Sequence, residues 1–357
     1  VKVNELPSSE DFCIKECLIG DTPCKLVFPV RVDVKWNDDN KIFRSSVWTE
    51  DGELVSASWK KFTNLGEQPD FEPLDTNGKF EYLHKQDGST LVISRFKGHL
   101  ITRTRGTVNA SVLENGYEIS FLKEKYPILF ENDLLKTEQY SILTEWYSPK
   151  NIIIEKEADE PTLWLTGIIK HSDYSYLTQD ELDAFAKEWG LERPKRYQFN
   201  TILEMVEGVK VWQKGEGIVL YGNKGQVLKK VKSDRYLYLH RLKSSISSQN
   251  NLIELYVDKQ MPSYEDFFDV ISTELDFEIA KAFQKEIVTV TEAGEKAKSF
   301  INNILEFVHD IRGVATRKEQ AQYITTHYKQ NASYAFSILD NKLITKEQWI
   351  KLMNQKL

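Results

Sequence analysis

Lys85-Gln86-Asp87-Gly88-Ser89 stands directly ahead of an apolar run, Thr90 to Phe96. A lysine amine that has lost its proton can attack an α-phosphate and form a phosphoramide. That chemistry needs a pKa below the ordinary lysine value, which neighbouring cations and partial burial supply. Asp-Gly-Ser is equally a common turn, and Gly88 would let the backbone come close to a ligand. A second segment is Gly215-Glu216-Gly217-Ile218-Val219, and a third is Leu228-Lys229-Lys230-Val231-Lys232-Ser233. Between them Tyr221 to Gln226 reads as a β-hairpin turn. With a three-residue loop Asn223-Lys224-Gly225 and Gly225 left-handed, Gly222 pairs with Gln226. Glu216 then falls opposite Lys232, and the period of two places Lys230 on the same face. A two-residue loop would send Glu216 to the other face, and an exposed cross-strand ion pair is the plainer alternative. Lys97-Gly98, between Phe96 and His99, suits a tight turn that brings Arg105 opposite Thr90, with Arg103 pointing the same way. Lys85 would then be ringed by cations, as a nucleoside triphosphate and a low-pKa lysine both require.

These segments need a sheet to carry them. From Lys25 to about Lys243 the pattern is mostly strands: Lys25 to Trp36, Leu91 to Phe96, Leu100 to Thr104, Tyr140 to Trp146, Ile152 to Glu155, Leu163 to Ile169 and Gly217 to Tyr221. Each is rich in β-branched and aromatic residues and bounded by Gly, Pro, Asn or Asp. A helix starts at Thr178, where Thr-Gln-Asp-Glu forms a capping box ahead of the stripe Leu182, Phe185, Trp189. From about Pro262 the strand signal ends. Apolar residues recur at helical spacing through Tyr264 to Glu274, Glu278 to Val290, Ser299 to Ile311, Lys318 to Lys329 and Lys346 to Asn354. The expectation is therefore an α+β domain over residues 1–260, a short polar linker near Asp258 to Ser263, and an all-helical domain over 261–357.

The chain has 357 residues and an ordinary globular composition, 41% hydrophobic and 28% charged, which excludes disordered, collagenous and coiled-coil chains. No apolar run approaches the roughly 18 residues of a spanning helix, and the residues from Val1 onward do not read as a basic-then-apolar leader, so no secretory signal is expected. The three cysteines, Cys13, Cys17 and Cys24, fall in one stretch. That argues against a disulfide framework or a four-ligand zinc site and points to a reducing cytosol. The six histidines show no metal-ligand spacing. Formal net charge is -7, yet Lys224, Lys229, Lys230, Lys232, Arg235, Arg241 and Lys243 crowd one stretch against the single acid Asp234. Something anionic could bind there, or it is a solvated face. Walker A, GxGxxG after a strand and HExxH are all missing. No heptad seam or large apolar edge appears, so a monomer is expected.

Lys85 to Ser89 resembles the KxDG motif of the covalent nucleotidyltransferases, the superfamily of ATP-dependent ligases and capping enzymes. Glu216-Gly-Ile-Val resembles their EGxV motif and Lys230-Val-Lys232 their closing KxK motif, in the same order. Ser233-Asp-Arg-Tyr236, Leu239-His240, Lys60 to Glu67, Leu143 to Trp146 and Pro149 to Ile152 are similar to the bacteriophage RNA ligase 1 family. The resemblance covers about residues 40 to 245. It implies a nucleotidyltransferase domain with ATP-grasp-like antiparallel sheets and helices, and an ATP-dependent RNA ligase joining a 5′-phosphate to a 3′-hydroxyl. Lys85 would take AMP from ATP and pass it to the RNA 5′-phosphate, and the 3′-hydroxyl would then displace AMP. The resemblance further implies that Arg44 and Lys61 contact nucleotide phosphates, and that His84, Asp87, Gly88 and Arg105 belong to the nucleotide site. Glu145 would hold the ribose or a metal-bound water, and Glu216 would place the divalent metal, Mg2+ or Mn2+. Lys230 and Lys232 would hold the α-phosphate. Arg105 stands where the phage pattern has lysine, which keeps the charge but makes proton transfer doubtful. DNA ligases and capping enzymes normally follow KxK with a β-barrel domain, whereas this chain turns helical. An inactive nucleic-acid-binding relative would not need every charged motif position filled. A phage end-joining enzyme, a tRNA-repair enzyme acting on nicked tRNA and a tRNA-splicing ligase domain share these motifs. The tryptophans Trp36, Trp48, Trp59, Trp146 and Trp164 read as core, and the partner of the adenine is left open.

Overall fold

The computed structural model describes all residues except 31–33, 69–70, 76–77, 111–116, 151, 247, 275–279, 281–282, 314–315 and 356–357. The chain divides into two compact units, Val1–Leu237 and Tyr238–Leu357.

Three sheets build the first unit. The first, in the order β1 (Phe12–Ile19), β2 (Thr22–Pro29), β3 (Ser46–Thr49), β4 (Leu54–Ser56), is antiparallel. A second antiparallel sheet runs β10 (Thr162–Lys170), β9 (Tyr140–Tyr147), β7 (Ser89–Phe96), β8 (His99–Arg103). The third runs β11 (Arg196–Tyr197), β6 (Phe80–Lys85), β12 (Gly217–Gly222), β13 (Val227–Lys232), β5 (Thr63–Asn64), with only the last pair parallel. Because side chains alternate along a strand, each sheet offers one face to a shared core. Val92 and Leu143 of the second sheet meet Leu83, Val219 and Tyr221 of the third, beside Trp48 and Trp59. The outer face of the third sheet is a separate core, where Ile218, Leu220 and Val231 are covered by Met205 and Val209 of helix α5 (Ile202–Lys210). The other helices of this part are α1 (Tyr117–Lys125), α2 (Pro127–Glu131), α3 (Asp133–Lys136) and α4 (Gln179–Trp189). Helix α4 carries the capping box expected from Thr178 and Glu181, ends at left-handed Gly190, and buries Leu182, Ala186 and Trp189. Such a cap contributes about 1 kcal/mol.

Two expected strands change. The run beginning at Lys25 belongs to a hairpin entered from the unanticipated strand β1, and it stops at Pro29. Ile152 to Glu155 forms no ladder: the N–H groups of Ile154 and Glu155 donate instead to Asp87 Oδ2 at 2.6 and 2.7 Å. The five tryptophans read as core are all buried, none more than 8% exposed.

Helix α6 (Asp234–Ile246) spans the division, and beyond it the regular elements among the described residues are helices: α7 (Gln249–Asp258), α8 (Tyr264–Glu274), α9 (Gln284–Arg312), α10 (Arg317–His327), α11 (Ala332–Leu339) and α12 (Lys346–Met353). The stretches expected at 278–290 and 299–311 fall largely on one helix of 29 residues, α9, since no proline separates them; residues 278–279 and 281–282 lie outside the described set. The break also falls at Leu237 rather than near residue 260. Leu252, Ile253 and Tyr256 of α7 are fully buried, and α7 packs on α9 and α12. The polar stretch at Asp258 to Ser263 is the corner between two packed helices, which polarity alone does not distinguish from a linker. No helix of the described residues is long and apolar enough to cross a membrane. All three cysteines are free.

Candidate active site

Lys85 ends β6, and Gly217 of β12 pairs with it on one side and with Lys232 of β13 on the other. Lys85, Lys230 and Lys232 therefore lie on one face, the face that meets the second sheet. Glu216 immediately precedes β12, and its side chain is buried among them. Its Oε2 accepts from Lys85 Nζ at 2.7 Å and its Oε1 from Lys232 Nζ at 2.8 Å. The hairpin loop has the expected form: Gly222 N–H donates to Gln226 O at 2.8 Å, and Gly225 is left-handed. A bulge between Leu220 and Tyr221 then shifts the ladder by one, so Gly217 rather than Glu216 faces Lys232. The carboxylate reaches both ammonium groups from the strand's end. Gly217 itself is required there, with φ +152 and a hypothetical Cβ only 2.0 Å from Val231 O.

Glu145 of β9 pairs with Thr90 of β7 and shares its side of the sheet with Leu143 and Val92, which places it on the same cleft. Its only side-chain hydrogen bond among the described residues is a long one from Thr90 Oγ1 at 3.4 Å. Burial, with Glu216 and Asp87 adding to it and Lys85 and Arg44 opposing it, raises its pKa to about 7. Lys230 shows the converse. Burial, then Lys85, Arg44, Lys232 and Lys61, lowers it to about 7. Among the described residues no carboxylate is in ion-pairing distance of it.

Lys85 departs from the sequence expectation. Burial pulls its pKa down, but Glu216, Glu145 and Asp87 outweigh burial and hold it above the ordinary lysine value. The groups that dominate beside burial are the carboxylates that the fold brings in. The same ion pairs hold Glu216 low against burial. Burial first and neighbouring cations second depress Lys230 instead.

The outer part of the cleft is cationic. Arg44, at the end of a 3-10 turn (Lys41–Arg44), and Lys230 both lie over the Phe62 ring, 5.2 and 5.3 Å from its centroid. Lys61 lies over Trp36 at 5.2 Å. Burial and then Arg105 lower Arg44 to about 10; burial, Arg44 and Arg105 lower Lys61, against Glu67. Arg105 thus acts on both Arg44 and Lys61. Arg103, expected to point into the site, is instead wholly buried.

Three further positions read differently in the fold. Strand alternation turns the His84 side chain to the outer face, where it stacks on Trp212 with centroids 5.9 Å apart. Asp87 is 1% exposed and takes, besides the two N–H groups above, the Tyr236 hydroxyl at 2.6 Å. It pins the loop after Lys85. Gly88 is needed for protein packing, since a Cβ there would come within 2.4 Å of Trp146 O. Tyr236, whose ring also carries Lys232 at 4.8 Å, and Phe62 were given no role from sequence. Both fall in segments similar to the RNA ligase 1 family, Lys60 to Glu67 and Ser233 to Tyr236. Lys229, on the opposite face from Lys230, is buried and donates to Thr63 Oγ1 and Phe71 O at 2.9 and 3.0 Å.

No group of three or more His, Cys, Asp or Glu suited to a metal occurs among the described residues. Glu145 and Glu216 nevertheless offer hard oxygen donors, Glu145 being half-buried with a single weak hydrogen bond among the described residues. Mg2+ is commonly held by one or two carboxylates together with substrate phosphates, so these residues fit such an ion.

A lysine beside a carboxylate, with two further lysines of one strand on the same face, is the arrangement expected of a covalent nucleotidyltransferase. Residues 42–246, more than half of the chain, match the RNA ligase family, and the chain belongs to that family. It is 24% identical over 236 residues to a protein of Autographa californica nuclear polyhedrosis virus described as a bifunctional polynucleotide kinase/RNA ligase, covering 60% of this chain and 32% of that one. The chain thus spans about a third of the length of this curated relative. Among solved structures it is similar to an archaeal ATP-dependent RNA ligase (14% identity, TM-score 0.47, 81% of this chain and 76% of that one). It is also similar to a Naegleria gruberi RNA ligase variant with ATP and Mn (14% identity, TM-score 0.44, 64% and 77%).

Proposed function

We propose that the chain is an ATP-dependent RNA ligase that joins 5′-phosphate and 3′-hydroxyl RNA ends through a lysyl-AMP on Lys85 and an RNA-adenylate, in RNA or tRNA repair. The observation that carries this reading is Lys85 Nζ and Lys232 Nζ on the two oxygens of one buried carboxylate, Glu216, beside Lys230. In the first step Lys85 Nζ bonds to the α-phosphorus of ATP and pyrophosphate leaves. The 5′-phosphate oxygen then takes AMP from Lys85, and the 3′-hydroxyl finally displaces AMP.

Lys230 and Lys232 stabilise the charge on the transferring phosphoryl group, the kind of term that dominates phosphoryl transfer. Arg44, Lys61 and Arg105 hold the outer phosphates. A divalent ion, Mg2+ or Mn2+, at Glu145 and Glu216 would neutralise phosphate charge and weaken the hold of the carboxylates on the Lys85 proton. Relief of that hold matters because Lys85 must be neutral to attack. The relative described as kinase/RNA ligase supports an end-repair setting. The helical unit, Tyr238–Leu357, carries 15 Lys and Arg against 16 Asp and Glu. It lacks the charge excess of a general RNA-binding surface, which supports a role in selecting RNA shape, such as a nicked tRNA stem-loop.

Incubation with labelled ATP or GTP and Mg2+, followed by peptide mass spectrometry, is the test. One AMP on Lys85 is the expected result. AMP on another lysine, or a GMP adduct in its place, overturns the reading.

A further inference from the structure

Arg103 takes no part in that chemistry, yet it is the last residue of β8 and has no exposed surface. Its guanidinium donates five hydrogen bonds, all to neutral oxygens. Nε reaches Ser56 Oγ at 2.8 Å, and Nη1 reaches Ser45 Oγ at 2.7 Å and Thr104 O at 3.1 Å. Nη2 reaches Ser45 O at 3.1 Å and Ser56 O at 3.2 Å. Burying a charge without a counter-charge is costly, and an apolar side chain would fill the same space more cheaply.

What the fork holds explains its retention. Ser45 follows Arg44 and Thr104 precedes Arg105, and Ser45 Oγ donates in turn to Arg105 O at 3.0 Å. Each end of the network therefore abuts one of the two arginines that repel each other at the outer cleft. A planar guanidinium with five donors in fixed directions can tie several backbone segments at once, whereas an ammonium has three donors and no such fork. Arg44 and Lys230 also lie over the one Phe62 ring, 5.2 and 5.3 Å from its centroid. Lys230 feels Lys85, Lys232, Arg44 and Lys61, while Arg105 acts on Arg44 and Lys61. With the α-phosphate at Lys85, the Arg44 and Arg105 end faces the two phosphates that depart.

We propose that Arg103 is a positioning residue that, through Ser45 and Thr104, holds Arg44 and Arg105 side by side as a clamp for the outer phosphates of ATP. It serves the nucleotide-consuming step and leaves the sealing step alone, and the proposal rests on reading this chain as an ATP-dependent ligase.

Full-length Arg103→Lys and Ser45→Ala test it. The first keeps the charge and loses the fork; the second keeps Arg103 and loses the hydroxyl relay. The ATP dependence of Lys85 adduct formation, the sealing of pre-adenylated RNA and thermal unfolding are measured for each. The ATP concentration giving half the maximal rate should rise on the order of tenfold in Arg103→Lys and less in Ser45→Ala. Sealing of pre-adenylated RNA should stay within about twofold of wild type. Equal loss of both activities, or an unchanged ATP requirement with a lowered melting temperature, overturns the proposal in favour of a purely structural brace. If Arg103→Lys does not fold, Ser45→Ala decides by the same two outcomes. A wild-type chain that forms no Lys85 adduct overturns the ligase reading itself and the clamp with it; a normal wild type with indifferent variants overturns the clamp alone.

Discussion

Glu145 and Lys230 titrate near neutrality from opposite directions, and each makes a different demand on pH. Glu145 has a folded pKa raised to about 7 by burial, so it binds a proton more tightly folded than unfolded. Its contribution to stability is present at low pH and is lost as pH rises through about 7. Glu145→Gln should therefore be more stable than wild type at pH 8, on the order of 1–3 kcal/mol, with the difference shrinking towards pH 5, while adenylation falls. Thermal unfolding at both pH values checks the sign; an advantage larger at pH 5 would contradict it. Lys230, lowered to about 7, carries its positive charge only below that pH in the free protein, so ATP affinity should weaken as pH rises from 6 to 8. At Lys85, alanine should abolish the AMP adduct but spare part of the sealing of pre-adenylated RNA, because AMP transfer is already complete in that substrate.

The β12–β13 hairpin makes two adjacent lysines into different residues. Lys230 faces the cleft, and Lys229 anchors β5 from the other side. Lys230→Ala should cut adenylation by orders of magnitude while leaving stability unchanged or higher. Lys229→Ala should instead cost about 1–3 kcal/mol of stability, because the Thr63 hydroxyl and Phe71 carbonyl lose a buried donor. Equal catalytic loss at both positions without destabilisation of Lys229→Ala would refute the assignment of faces. Gly217→Ala is expected to cost about 2 kcal/mol or more, since its backbone is in a glycine-only region and a Cβ would meet Val231 O.

At the scale of the whole chain, the family match ends at residue 246, the last residue of α6. A fragment ending there should form the Lys85 adduct. One ending at Gln260 would carry α7 without α9 and α12, leaving Leu252, Ile253 and Tyr256 uncovered, and should aggregate or lose α7. Size-exclusion chromatography and adduct formation on the two fragments distinguish this; equal behaviour would place the boundary nearer residue 260. The full chain compared with the shorter fragment on a nicked tRNA stem-loop and an unstructured oligonucleotide tests whether the helices select RNA shape.

Local rules made much of this protein legible. The alternation through Val227 to Lys232 separates Lys230 and Lys232 from Lys229, the loop at Gly225 is determined by its left-handed glycine, and the α4 cap is written in Thr178 and Glu181. All depend on neighbours within a few residues. The tertiary structure decided what lies across the cleft. Lys85 meets carboxylates from β9 and from the end before β12, so its proton is held rather than shed. Asp87 is drawn inward by Tyr236 and by a segment that gives up its own ladder, and Arg103 is buried on the oxygens of Ser45, Ser56 and Thr104. Electrostatic energies depend on distance in space and on burial, and sequence spacing reports neither.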